Sequence, residues 1–230
     1  MRGVVTRDSL RRVLTAAGPA LAASEAILLT GDLVHDDADG YPAIIELLGG
    51  LGKPVLALPG NHDEPLLMQR ALCEPPFDYC PVRFFGRWQL ILLDSVVPGE
   101  AGGRLAASEL ARLDAALAAH PDKHALIALH HHPIHTGSHW LEPIGVANAD
   151  EFFGVLDTHP QVRAVLWGHV HQSQQAQRGS VALLGTPSTC VQFRAKSADF
   201  ALDTLPPAWR ELTLHDDGRI DSQVHHLPVA

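Results

Sequence analysis

The chain has 230 residues, 46% of them hydrophobic and 19% charged, enough to bury one sizeable core. A formal net charge of −9, with no basic cluster beyond Arg11-Arg12, excludes a nucleic-acid-binding surface. No apolar run approaches the ~20 residues of a membrane-spanning helix, and the basic MRGVVTRDSLRRV start lacks the apolar segment of a secretion signal.

The elements follow in order. Residues 6–23 read as one helix, with Leu10, Val13 and Leu14 on one face. Residues 26–30 form a short strand stopped by Gly31-Asp32, 41–51 a helix ended by glycines, and 54–58 a strand stopped by Pro59-Gly60-Asn61-His62. A helix at 64–72 precedes strands at 82–86 and 89–93. The second half repeats the rhythm, with a helix at 106–119, a strand at 124–129, a helix at 150–158 and a strand at 164–167. Only strands follow, at 174–178, 181–184, 209–214 and 220–226. Alternating strands and helices followed by strand pairs predict an α/β sandwich of mixed sheets with helices outside, and no linker divides it.

Polar motifs stand at the carboxyl ends of four apolar runs, where ligands gather in such folds. They are GDLVHD after AILLT, GNHDEP after VLALP, HHHP after ALIAL and GHVHQ after AVLW. Asp32 can use both oxygens and is the natural bridge between two cations, although an Asp after Gly commonly just caps a turn. Asn61 adds a neutral oxygen donor. His62 can protonate a leaving alkoxide or hold a phosphate oxygen, with Asp63 orienting it or its neighbours. Successive side chains on an extended segment face opposite ways, so His130, the first polar residue after its strand, is the expected ligand. His131 is expected close behind it, and His132, His135 and His139 read as surface or loop histidines. His169 and His171 share one side of a strand end and suit two adjacent ions. The 15 histidines are the compositional anomaly, whereas Cys73, Cys80 and Cys190 lack CxxC spacing and read as reduced thiols.

The order GD, GNHD, HHHP, GHVH resembles the calcineurin-like metallophosphoesterases. GTPSTCVQF at 185–193, Asp199-Phe200, LPPAWRELTL and DDGRI are similar to the bacterial class III cyclic-AMP phosphodiesterases, so the likeness covers essentially the whole chain. The resemblance implies a four-layer α/β-β-α sandwich over 1–230 and hydrolysis of 3',5'-cyclic AMP to 5'-AMP. It implies two divalent metal ions, Fe or Mn with Zn as an option. Asp32 bridges them, Asn61, His130 and His169 hold the second, and His171 contributes to the first. Asp32, Asn61, His62 and His171 are expected to meet the substrate phosphate, with His62 catalytic.

Members of that family begin with a strand ending in Asp-x-His, which this chain lacks at its start. By that comparison the domain is N-terminally truncated, with a strand and loop of roughly 20–30 residues absent and the second ion site better preserved than the first. Asp157-Thr158-His159 repeats the spacing but falls at a helix end and reads as a coincidence. The expected setting is a cytoplasmic monomer or homodimer acting on a small cyclic nucleotide, with no nucleic-acid or membrane partner. Two alternatives stand beside it: a phosphoesterase of broader specificity, because the metal core does not set the substrate, or a catalytically impaired metal-binding protein, because the Asp-x-His ligands of the first site are absent.

Overall fold

Hydrophobic alternation along the central strands sorts side chains into separate cores and so builds the layers. In the computed structural model, which describes residues 3–228, strands β1 (Ile27–Leu29), β2 (Val55–Ala57) and β3 (Phe77–Tyr79) form a parallel sheet in that order. A six-stranded mixed sheet runs β4 (Val82–Phe85), β5 (Trp88–Leu92), β6 (His124–Leu129), β7 (Val162–Trp167), β9 (Val181–Gly185) and β8 (Gln174–Arg178). Its β5, β6, β7 and β9 are parallel, and the edge strands β4 and β8 are antiparallel to their neighbours. Strands β10 (Ala208–Leu214) and β11 (Ile220–His226) pair as a separate hairpin.

The period of two decides which core each residue enters. Val55 and Ala57 of β2 face the helices α3 (Tyr41–Leu48) and α4 (Pro65–Ala71), packing with Tyr41, Ile44, Leu48 and Met68. Leu56 and Leu58 turn the other way, onto Trp88, Leu90, Leu126, Ala128 and Leu166 of the large sheet. The opposite face of that sheet, with Ile91, Ile127, Leu129, Val165 and Trp167, is covered by α5 (Ala107–Ala119) and α6 (Ala149–Asp157). Leu110, Leu113 and Leu117 of α5 recur at helical spacing and make that contact. Three cores between four layers give the expected α/β-β-α arrangement.

Two local departures have physical reasons. The expected first helix is two, α1 (Thr6–Ala16) and α2 (Gly18–Ala23), because Pro19 has no N–H to continue the helical ladder and stands instead in the first turn of a new helix. Strand β3 lies between prolines in CEPPFDYCP and is three residues long, with too few positions to display alternation. The hairpin joins the body through the Ala208 N–H, which donates to Ser188 O at 2.9 Å, and through side chains: Trp88 Nε1 donates to His215 O at 2.8 Å, and the Arg210 guanidinium donates to Gly185 O at 2.6 Å.

Candidate metal centre

The four motifs leave their strands on one rim. Parity places His130 on the same side as Leu126 and Ala128, toward the space between the sheets, and its ring is 1% exposed. There Nδ1 lies 2.7 Å from Thr30 O, a carbonyl that can only accept, so Nδ1 carries the proton and Nε2 presents its lone pair. Nε2 is 3.4 Å from Asp32 Oδ1, 3.2 Å from Asn61 Oδ1 and 3.2 Å from His169 Nδ1. Lone pairs that converge so closely repel unless a cation lies among them.

The spacing fits such a cation: donors ~2.1 Å from a shared four- or six-coordinate ion stand ~3.0–3.4 Å from one another. Burial holds the pKa of His169 well below its ordinary value, which keeps it neutral as a metal ligand must be. Its Nε2 is buried without a hydrogen-bond partner.

Glycine makes this proximity possible. Gly31 sits at φ +93°, and a Cβ there would drive into the His130 ring; a Cβ on Gly60 would collide with Asp32 Oδ1 and His130 Cε1. Asp32, His169 and His171 themselves hold left-handed backbone at φ 55°, 61° and 46°. Such strain in non-glycine residues persists only where the surroundings impose it.

His171 stands beside this group. Its Nδ1 faces Val191 O at 2.8 Å, its ring stacks on Phe193 with centroids 4.1 Å apart, and burial pushes its pKa down to about 4. His62 donates its backbone N–H to Asp32 Oδ1 at 3.1 Å, while its half-buried ring points to the rim, with Nδ1 3.0 Å from Asp36 Oδ1. Asp36 thus orients His62, a role that sequence reasoning did not assign although His35 and Asp36 lie inside GDLVHD. Asp63 instead serves the neighbours of His62. Its carboxylate accepts from Leu33 N (3.2 Å), Val34 N (3.3 Å), Gly60 N (2.9 Å) and Tyr41 Oη (3.1 Å).

His131 joins the cluster more closely than expected: the ligand atoms of His130, His131 and His169 lie within 4.8 Å of one another, and Ser95 Oγ is 2.8 Å from His131 Nδ1. His132 is a correction. It is 3% exposed and stacks on His169 with centroids 5.7 Å apart, because the chain after β6 passes beneath the loop around Gly145 instead of reaching the surface. His135 and His139 are exposed. Asp157 pairs with Arg178, and His159 pairs with Asp114, so the isolated Asp-x-His takes no part in the cluster.

Comparison with known proteins gives the family and the fold. A 3',5'-cyclic adenosine monophosphate phosphodiesterase CpdA of Pseudomonas aeruginosa is 40% identical over 231 residues, covering 98% of this chain and 83% of that protein. The CpdA of Escherichia coli K12 is 40% identical over 227 residues, 98% of this chain and 82% of its own. A 3',5'-cyclic-nucleotide phosphodiesterase of Nostoc is 35% identical over 100% of this chain and 87% of that one. In fold, a dimetal phosphatase from Danio rerio superposes with a TM-score of 0.62 at 14% identity, covering 86% of this chain and 85% of that one. TT1561 of Thermus thermophilus gives 0.61 at 18%, covering 94% and 92%. With residues 5–173 also matching the calcineurin-like phosphoesterase profile, the chain belongs to the calcineurin-like phosphoesterase family.

Proposed function

We propose that this chain is a metal-dependent phosphodiesterase that opens 3',5'-cyclic AMP to 5'-AMP. The observation that carries the reading is the convergence of Asp32, Asn61 and His169 on His130 Nε2. Identity of 40% to CpdA proteins across 98% of the chain supports the choice of substrate.

Asp32, Asn61, His130 and His169 would hold the second divalent ion, and Asp32 and His171 would contribute to the first. Fe and Mn suit this mixed nitrogen and oxygen set, as does Zn. Divalent ions bound there activate water for attack on phosphorus and offset the charge that develops on the phosphate oxygens.

The chain's own groups do the rest. Asp32, Asn61, His62 and His171 surround the phosphate. As water adds to phosphorus and the P–O3' bond breaks, His62 gives a proton to the departing 3'-oxygen. Asp36 at Nδ1 holds the ring in place and stabilises the imidazolium before transfer. Thr30 O fixes the His130 tautomer in the same way.

No helix among the described residues is long and apolar enough to cross a membrane. We place the protein in the cytoplasm as a single domain, monomeric or homodimeric, acting on a small nucleotide.

The test is turnover of cyclic AMP with added Mn or Fe, with metal counted per chain. Turnover that falls at least a hundredfold in Asn61→Ala and His169→Ala is the expected result; turnover unaffected by either substitution refutes the site. A second reading rests on the donor count at the first ion, for which this arrangement supplies only Asp32 and His171 among the described residues. Near one ion per chain with weak turnover favours a metal-binding protein of reduced activity, and near two favours the enzyme. A panel of cyclic and acyclic phosphoesters separates a cyclic-nucleotide enzyme from a broader phosphoesterase.

A further inference from the structure

GDLVHD carries a histidine that phosphodiester hydrolysis leaves unused. His35, Asp36 and His62 each offer a ligand atom, and the three atoms lie within 4.8 Å of one another. The rings of His35 and His62 are 4.2 Å apart between centroids, and His62 Nδ1 is 3.0 Å from Asp36 Oδ1. His35 and Asp36 are exposed and His62 is half-buried, so the trio opens to solvent.

The segment that carries the trio is held on both sides. Asp36 N–H donates to His62 O at 3.1 Å, and Val34 N–H donates to Asp63 Oδ1 at 3.3 Å. Those bonds fix the two loops in register and keep the three side chains together without an ion. Two imidazoles and one carboxylate, with the remaining positions free for water, form a donor set suited to Zn, Mn, Fe, Co or Ni. None of these three side chains contributes to the buried group around His130 Nε2, so the two centres have separate donors.

We propose that His35, Asp36 and His62 form a solvent-facing site for a divalent transition-metal ion, whose occupation withdraws His62 from proton transfer. A histidine nitrogen that binds a metal uses the lone pair that would otherwise carry the proton, and Asp36 is drawn to the same ion. Excess metal therefore inhibits the enzyme that a lower concentration activates. The metal site stands on the geometry alone, whereas the inhibitory effect rests on the assignment of His62 as proton donor.

The test uses the full chain with its buried site filled by Mn, titrated with Zn by calorimetry and equilibrium dialysis. The expected result is an added binding event that His35→Ala and Asp36→Asn each weaken at least tenfold, with far-UV circular dichroism and Mn content unchanged. The same added binding in both variants and the parent overturns the site. In turnover of cyclic AMP, the Zn concentration for half-inhibition should rise at least tenfold in His35→Ala. Unchanged inhibition in a variant that has lost the added binding overturns the coupling to His62. A parent that binds the extra Zn through His35 yet never hydrolyses cyclic AMP supports the site and removes the phosphodiesterase reading instead.

Discussion

The Asp63 carboxylate accepts the backbone N–H of Leu33 at 3.2 Å, and so ties the loop of Asn61 to the loop of Asp32. Val34 N, Gly60 N and the Tyr41 hydroxyl complete its set of donors. Asp63→Ala leaves these donors without an acceptor in a position that is 6% exposed. The expected loss is about 3–5 kcal/mol, from several buried groups left unsatisfied at once. Tyr41→Phe removes one partner and should cost about 1 kcal/mol. Urea unfolding checks both, through a lower midpoint at unchanged slope; equal losses in the two variants would show that Asp63 does not hold the loops.

Gly60 lies where the Asp32 carboxylate and the His130 ring meet, and a Cβ there would overlap both. Gly60→Ala should therefore displace two proposed ligands while leaving the three apolar cores intact. We expect metal affinity to fall at least tenfold, the size of effect seen when ligand orientation is lost, with far-UV circular dichroism unchanged. Calorimetric titration with Mn reads the first quantity, and parent-like affinity would show that the Asp32–His130 spacing is unimportant.

Much of this centre is legible in the sequence, because strand endings are. Asp32, Asn61, His130 and His169 each follow an apolar run and a sharp stop, and parallel strands bring such ends to one rim. Side-chain partners across loops are not legible in the same way. Asp63 is adjacent to His62 in the chain and Asp36 lies 26 residues before it inside GDLVHD, and only the fold shows that the distant carboxylate takes the imidazole. His132 was legible as a histidine but not as buried, since its cover comes from Gly145, distant in sequence. Short β3 escaped because three residues between prolines carry no period.

The cysteines differ in environment and should differ in reactivity. Burial, followed by the nearby Asp94 and Glu109 charges, raises the Cys80 pKa far above its ordinary value and keeps the thiol protonated. Cys190 is raised as well, by burial, whereas Cys73 is exposed. Because the thiolate is the nucleophile, iodoacetamide at pH 8 should label Cys73 first and Cys80 last. Peptide mapping by mass spectrometry over time reads the order, and early labelling of Cys80 would contradict its placement against β5.

The β10–β11 hairpin forms its own two-stranded sheet, and a two-stranded ribbon is marginal in isolation. Its hold on the body depends on a few contacts. Leu212, Leu214 and Ile220 pack against the core between the sheets, and Arg210 reaches Gly185 O at 2.6 Å and Gln174 O at 3.3 Å. Burial lowers the Arg210 pKa to about 10, which leaves the guanidinium charged at neutral pH and its bonds charge-assisted. Arg210→Ala strips those bonds from two carbonyls at the β8–β9 edge and removes the packing of the long stem. The expected cost is about 1–3 kcal/mol, concentrated in local opening of the hairpin rather than in global unfolding. Hydrogen exchange resolves the two: amides of residues 208–226 should exchange at least tenfold faster in the variant, while those of β6 and β7 keep parent rates. Uniform acceleration across all strands would instead mean that Arg210 supports the whole molecule.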